Sequence, residues 1–77
     1  MTRAEFHAAI AEMLDCQPSE VRGDSALREL PNWDSLAVLS FVALADSRFG
    51  AVVSGDDLVR CRTVDDLAAL LPIEVEP

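Results

Sequence analysis

Among the side chains that could act as nucleophile, base or metal ligand, one serine stands where its chemistry is easiest to use. Ser35 follows Asp34, which has the position of a helix N-cap, and opens the most apolar helical stretch of the chain, Ser35 to Phe49. A hydroxyl at that point is expected to be exposed beside backbone N–H groups that have no partner inside the helix. A phosphate ester placed on it would be stabilised by those donors and by the positive end of the helix dipole. The other candidates read as structure. His7, the only histidine, sits on a helix between Phe6 and Ala8, at the solvent edge and with no nucleophile to serve as general base. The pairs Asp56-Asp57 and Asp65-Asp66 each fall in the first turn of a predicted helix, where the dipole favours negative charge, so they need no bound cation. Cys16 and Cys61 lie far apart in apolar surroundings and form no CxxC pair, which argues for buried free thiols and against a zinc or thioredoxin-type site. No EF-hand spacing, P-loop or GxGxxG is present, and neither a catalytic set nor a metal set emerges.

The elements that would position Ser35 follow from helical periodicity, since apolar residues nowhere alternate over a length suited to an exposed strand. Thr2-x-x-Glu5 has capping-box spacing, and Phe6, Ile10, Met13 and Leu14 continue it as one stripe, predicting a helix over 3–14 that ends before Pro18. A long connection from about Asp15 to Trp33 contains Pro18, Gly23 and Pro31, with Val21, Leu27 and Leu30 as anchors to a core. In the helix over 35–49, Leu39, Val42, Ala45 and Phe49 are read as one stripe and Val38 and Phe41 as a second. Trp33 and Val38 have the spacing of a hydrophobic staple across the cap. Gly50 stops this helix, Ser54-x-x-Asp57 opens a short one over 55–60, and Thr63-x-x-Asp66 opens a last one over 64–71 that Pro72 terminates. The acidic tail 73–77 is expected to fray. The expectation is a single all-α domain over 1–77: a four-helix bundle with three longer helices, one short helix and a long first loop.

Composition narrows the function classes. The chain has 77 residues, 51% of them apolar, which suits one small globular domain. Fourteen carboxylates face six arginines and no lysine, for a formal charge of −8. Such a chain is repelled by phosphate backbones and anionic lipid, which argues against nucleic-acid binding and against a polybasic membrane anchor. No run approaches the ~20 apolar residues of a membrane span, and the N-terminal stretch lacks the apolar core of a signal peptide. A cytoplasmic location and a monomer are expected.

Trp33-Asp34-Ser35-Leu36, followed by an apolar helix ending in Phe49-Gly50, resembles the Asp-Ser-Leu segment of acyl carrier proteins. The likeness extends over nearly the whole chain, through Ser25-x-Leu27 and Leu30 in the loop and through Thr63-Val64 into the last helix. The resemblance implies that Ser35 carries a covalent 4′-phosphopantetheine arm whose thiol holds an acyl group as a thioester. Asp34 and Leu36 would flank the attachment point. The protein would catalyse nothing, and would serve a phosphopantetheinyl transferase, an acyl-loading ligase or adenylating enzyme, and downstream acyl-transferring or condensing enzymes. Leu36, with Leu39 and Val42, is expected to line the mouth of a cavity that shelters a short acyl chain.

One departure bears on partners. Carriers of the dissociated fatty-acid pathway are similar but usually place several acidic residues along this helix, whereas here Asp34 and Asp46 are its only carboxylates and Arg48 runs against the trend. Docking is therefore expected to rest on apolar contact through Trp33, Val38 and Ala43, with Asp46 as a rim charge. That points to a free-standing carrier of a specialised pathway, such as polyketide, nonribosomal-peptide or surface-glycan assembly, and Trp33 resembles such carriers. The alternative from another class is a small acidic adaptor that binds a partner without a prosthetic group.

Overall fold

The computed structural model describes residues 2–71. Pro72 and the acidic tail 73–77, expected to stop the last helix and to fray, lie outside the described residues. Four α-helices follow one another: α1 (Arg3–Leu14), α2 (Ser35–Phe49), α3 (Gly55–Val59) and α4 (Val64–Ala69). The expected third longer helix is thus a short one. Its last turn tightens, with Leu70 N–H donating to the carbonyl of Leu67 and Leu71 N–H to that of Ala68, both at 3.1 Å, so α-helical bonding stops at Ala69.

Short-range capping sets the helix starts. Thr2 Oγ1 accepts from Glu5 N–H at 3.1 Å while Glu5 Oε1 accepts from Thr2 N–H at 2.8 Å. The same reciprocal pair forms at Ser54 and Asp57 and at Thr63 and Asp66. Gly50 closes α2 at φ 63°, a left-handed conformation that favours glycine.

The core is built from facing stripes. α1 buries Phe6, Ala9, Ile10 and Leu14, and α2 buries Ala37, Phe41, Ala45 and Phe49 at steps of four. The small Ala37 and Ala45 let α2 pack closely, and the rings of Phe6 and Phe49 meet at 5.8 Å between centroids. This register differs from the predicted one. Leu39 is 66% exposed, and Leu36, Leu39 and Ala43 lie on the side of α2 turned away from the core. Leu58, Val64, Leu67 and Leu71 complete the interior.

The long connection is more ordered than its composition suggests. It contains two 3₁₀ turns, Pro18–Glu20 and Leu27–Glu29, and buries Val21, Leu27 and Leu30. It is also tied to the head of α4. Ala26 and Thr63 form an antiparallel bridge, Leu27 N–H donates to the carbonyl of Arg62 at 2.9 Å, and Val64 N–H donates to that of Ser25 at 3.2 Å. Asp65 N–H reaches the carbonyl of Gly23 at 2.9 Å. A Cβ on Gly23 would stand 2.6 Å from the Asp65 carboxylate, the end of an exposed side chain that would have to swing aside.

Candidate functional site

Asp34 has extended backbone and turns its carboxylate over the first turn of α2, where Oδ1 accepts from Ala37 N–H at 2.9 Å. Its carbonyl takes Val38 N–H at 3.1 Å. These two bonds use the third and fourth donors of the helix. The N–H groups of Ser35 and Leu36 are left facing outward, since an α-helix offers them no internal acceptor. Ser35 is exposed in the first position of α2, and Leu36 beside it is 69% exposed. An anion esterified to Ser35 would therefore meet free donors, the positive end of a helix of fifteen residues and no competing cap on its side. The geometry fits a phosphodiester.

The approach to this point is held by Asn32, a residue whose role the sequence did not reveal. Its φ is 62°, a left-handed turn that asparagine tolerates better than most residues. Its Nδ2 donates to the carbonyl of Leu14 at 2.7 Å, spanning eighteen positions of sequence to tie the end of the loop to the end of α1. One of the carbonyls left over at the C-terminus of α1 is thereby satisfied, and the chain is aimed into Trp33, Asp34 and Ser35.

Next to Ser35 runs a groove of about 710 Å³ between α2, α3 and the loop. Trp33 and Val38 form one of its walls, and Leu27, Leu58, Val59 and Cys61 contribute others. Both staple residues are half-buried against the core. The groove is not lined by Leu36, Leu39 or Val42, which corrects the expectation for its mouth: the register of α2 turns Leu36 and Leu39 to solvent and packs Val42 partly into the core. Ala43 and Asp46 are exposed on α2.

The remaining titratable groups are structural. His7 is half-buried beside Arg3 and Asp65 in a shallow depression between α1 and α4. Its pKa is held below the ordinary value by burial first and by Arg3 second, against the pull of Asp65. Burial pushes both thiols up, with nearby carboxylates adding to the shift. Cys16 and Cys61 are half-buried rather than fully buried, and both are free. Among the described residues no three His, Cys, Asp or Glu side chains stand together as a metal site, and no helix is long and apolar enough to cross a membrane.

Comparison with known proteins gives one consistent answer. The family model described as "Phosphopantetheine attachment site" matches residues 4–71. An acyl carrier protein of Rhodococcus erythropolis is 29% identical over 68 residues, covering 88% of this chain and 75% of that one. An acyl carrier protein of Chlamydia trachomatis is 32% identical over 63 residues, with 82% of each chain covered. A meromycolate extension acyl carrier protein of Mycobacterium tuberculosis is 27% identical over 75 residues, covering 92% of this chain; the chain spans 65% of the length of that relative.

Proposed function

The chain belongs to the phosphopantetheine attachment-site family, and from that membership we propose that Ser35 is the serine that bears its 4′-phosphopantetheine. As a family member the chain is an acyl carrier: it delivers acyl groups to acyl-processing enzymes, receives its arm from a phosphopantetheinyl transferase, and is not itself a catalyst. Membership also sets aside the reading as an adaptor without a prosthetic group. When bound, the arm supplies a terminal thiol that takes up an acyl group as a thioester. The chain's own residues hold and present that arm.

The observation that carries the assignment to Ser35 is its place as an exposed first residue of α2, beside two outward-facing N–H groups and behind a cap that spends its carboxylate on Ala37. Asp34 fixes the helix start, and with it the direction of the Ser35 hydroxyl. The N–H groups of Ser35 and Leu36 hold the phosphodiester. Partners dock on the outward side of α2, where Leu36, Leu39 and Ala43 form an apolar strip with Asp46 at its edge. Trp33 and Val38 support that face from the groove side. The chain works as a free-standing monomer in the cytoplasm, loaded by a ligase or adenylating enzyme and unloaded by acyl-transferring or condensing enzymes of a specialised pathway. Over a flexible tether such a carrier raises the effective concentration of cargo at each partner without new binding contacts.

Intact-mass measurement after incubation with a phosphopantetheinyl transferase and coenzyme A tests the assignment. The Ser35 oxygen forms a new P–O bond, the pyrophosphate link of coenzyme A breaks, and adenosine 3′,5′-bisphosphate leaves. The protein is expected to gain the mass of one phosphopantetheine, and Ser35→Ala to abolish the gain. Full modification of the alanine variant would overturn the assignment.

A further inference from the structure

The groove beside α2 carries a charge pattern that attachment alone does not explain. Six arginines share this chain with fourteen carboxylates. Three of them are paired: Arg3 with Asp65 at 3.7 Å, Arg22 with Asp24 at 3.7 Å and Arg48 with Glu12 at 3.8 Å. Among the described residues Arg28, Arg60 and Arg62 make no ion pair, and two of these, Arg28 and Arg62, line the groove. The pairing is built into the backbone, because the bond from Leu27 N–H to the carbonyl of Arg62 sets the 3₁₀ turn bearing Arg28 against the segment bearing Arg62.

The neighbouring carboxylates have other work. Asp66 accepts from Arg62 N–H at 2.9 Å and from Thr63 N–H at 3.1 Å, bonds that hold its pKa low with the Arg62 charge adding to them, and it forms no ion pair with that side chain. Asp57 accepts from Ser54 N–H. An acidic chain has thus set two exposed arginines in the lining of a groove whose remaining wall includes Trp33, Val38, Leu58 and Val59.

That combination fits a ligand that is apolar along its length and anionic at its end. An unsubstituted acyl chain would use the apolar wall and leave both guanidinium groups to water. A cargo ending in an ammonium group would be repelled by them. A carboxylate matches the guanidinium fork in charge and in plane. We propose that this groove selects acyl cargo bearing a terminal carboxylate, with Arg28 and Arg62 as the residues that bind it. The proposal rests on attachment at Ser35 and adds the class of cargo to it. Trp33 stands two residues before Ser35 and Val38 three after, so an arm on that serine starts beside the groove and can fold back to lay its cargo there.

The test loads the full chain, through a phosphopantetheinyl transferase, with adipoyl- or hexanoyl-coenzyme A, cargoes of equal length that differ by the terminal carboxylate. Cleavage of each thioester by hydroxylamine is compared with its cleavage on free pantetheine, and the emission of Trp33, the only tryptophan, is followed alongside. The adipoyl thioester is expected to be protected roughly twofold to thirtyfold more than the hexanoyl one, as two exposed charge pairs allow. That excess should shrink at high salt. Arg28→Gln/Arg62→Gln should remove it, together with the adipoyl-dependent change in Trp33 emission, and leave hexanoyl protection as it was. Both arginines are exposed, so the variant is expected to keep its fold, checked by circular dichroism. Equal protection of the two cargoes in the unaltered chain would overturn the proposal while leaving attachment intact. An equal drop for both cargoes in the variant would assign the guanidinium groups to the phosphodiester of the arm and also overturn it. Failure of the unaltered chain to gain mass with either coenzyme A would overturn the attachment reading, and this one with it.

Discussion

Asn32 offers a direct way to ask how the long loop holds the start of α2 and Ser35. Its side chain supplies one hydrogen bond to Leu14, and its backbone adopts a left-handed turn. The two contributions separate on substitution. Asn32→Gly keeps the turn, loses the hydrogen bond, worth about 0.5–1.5 kcal/mol, and adds unfolded-state freedom worth about 0.4–1 kcal/mol. Asn32→Ala loses the same bond and keeps a Cβ in the left-handed region, where alanine is tolerated less well than asparagine, a strain of about 1–2 kcal/mol that glycine escapes. Alanine is therefore expected to be the more damaging by about 0.5–1 kcal/mol, which in a domain of this size is about 2–8 °C in Tm. Against a total stability of about 4–12 kcal/mol for this length, the alanine variant remains folded but weakened. Urea titration followed by Trp33 emission measures both. Because Asn32 aims the chain into the Asp34 cap, modification of Ser35 should slow in both variants even where they are fully folded. A glycine variant less stable than the alanine one would refute the account of the turn, and modification at the unaltered rate in both would refute the positional role.

Acidification should lower Tm in two stages. The His7 pKa is depressed by folding, so the unfolded chain takes up its proton first and stability declines as pH falls below the ordinary imidazole value of 6.5. Glu5 and Asp66 are held low by backbone hydrogen bonds, so the stability they add is complete at neutral pH and is lost as pH falls through about 4 and then through their folded values. Glu5→Gln and Asp66→Asn should flatten the lower limb, and a Tm that stays level from pH 7 to 3 would contradict both assignments. Cys16 and Cys61 have raised pKa values, so at pH 8 each holds less thiolate than a free cysteine and should be alkylated more slowly than glutathione, as timed mass spectra will show. On the docking face, Leu39→Asp should weaken turnover with a cognate acyl-processing enzyme by more than 1 kcal/mol if that leucine is a contact centre. Asp46→Ala should cost only about 0.2–1 kcal/mol; the reverse order in steady-state kinetics would restore charge as the dominant contact.

What could be read in the sequence was what neighbours in sequence decide. The capping pairs at Thr2 and Glu5, Ser54 and Asp57, and Thr63 and Asp66, the Asp34 cap and the Gly50 stop each involve residues at most a turn apart. The same locality made Ser35 conspicuous. The bridge between Ala26 and Thr63 and the reach of Asn32 to Leu14 join distant parts of the chain, and no periodic pattern announces them. The register of α2 was misread for a different reason. Its apolar residues surround most of the helix, so choosing the large side chains Leu39 and Val42 for the core looked sound. Packing instead selected the row in which alanines alternate with phenylalanines. Arg28 and Arg62 stand thirty-four positions apart and read as isolated charges until the fold placed both on one groove.

The register of α2 also bears on how partners recognise the chain. Leucines 36 and 39 contribute little to the interior, and at 69% and 66% exposure they stand beside Ser35 at a cost in solubility that the fold does not require. The carboxylates that might have occupied such positions are used elsewhere: Glu5, Glu20, Asp57 and Asp66 close capping pairs, and Asp34 caps α2. A carboxylate held by backbone N–H groups in this way still contributes to the long-range field of a chain with charge −8, but it is not free to form a close ion pair with a partner. Steering and contact thus fall to different residues. The field of the whole surface is expected to set how often a basic partner arrives, and salt should slow that step. On the proposed docking face, the apolar strip on α2 is expected to set how long the partner stays, and salt should leave that step nearly unchanged.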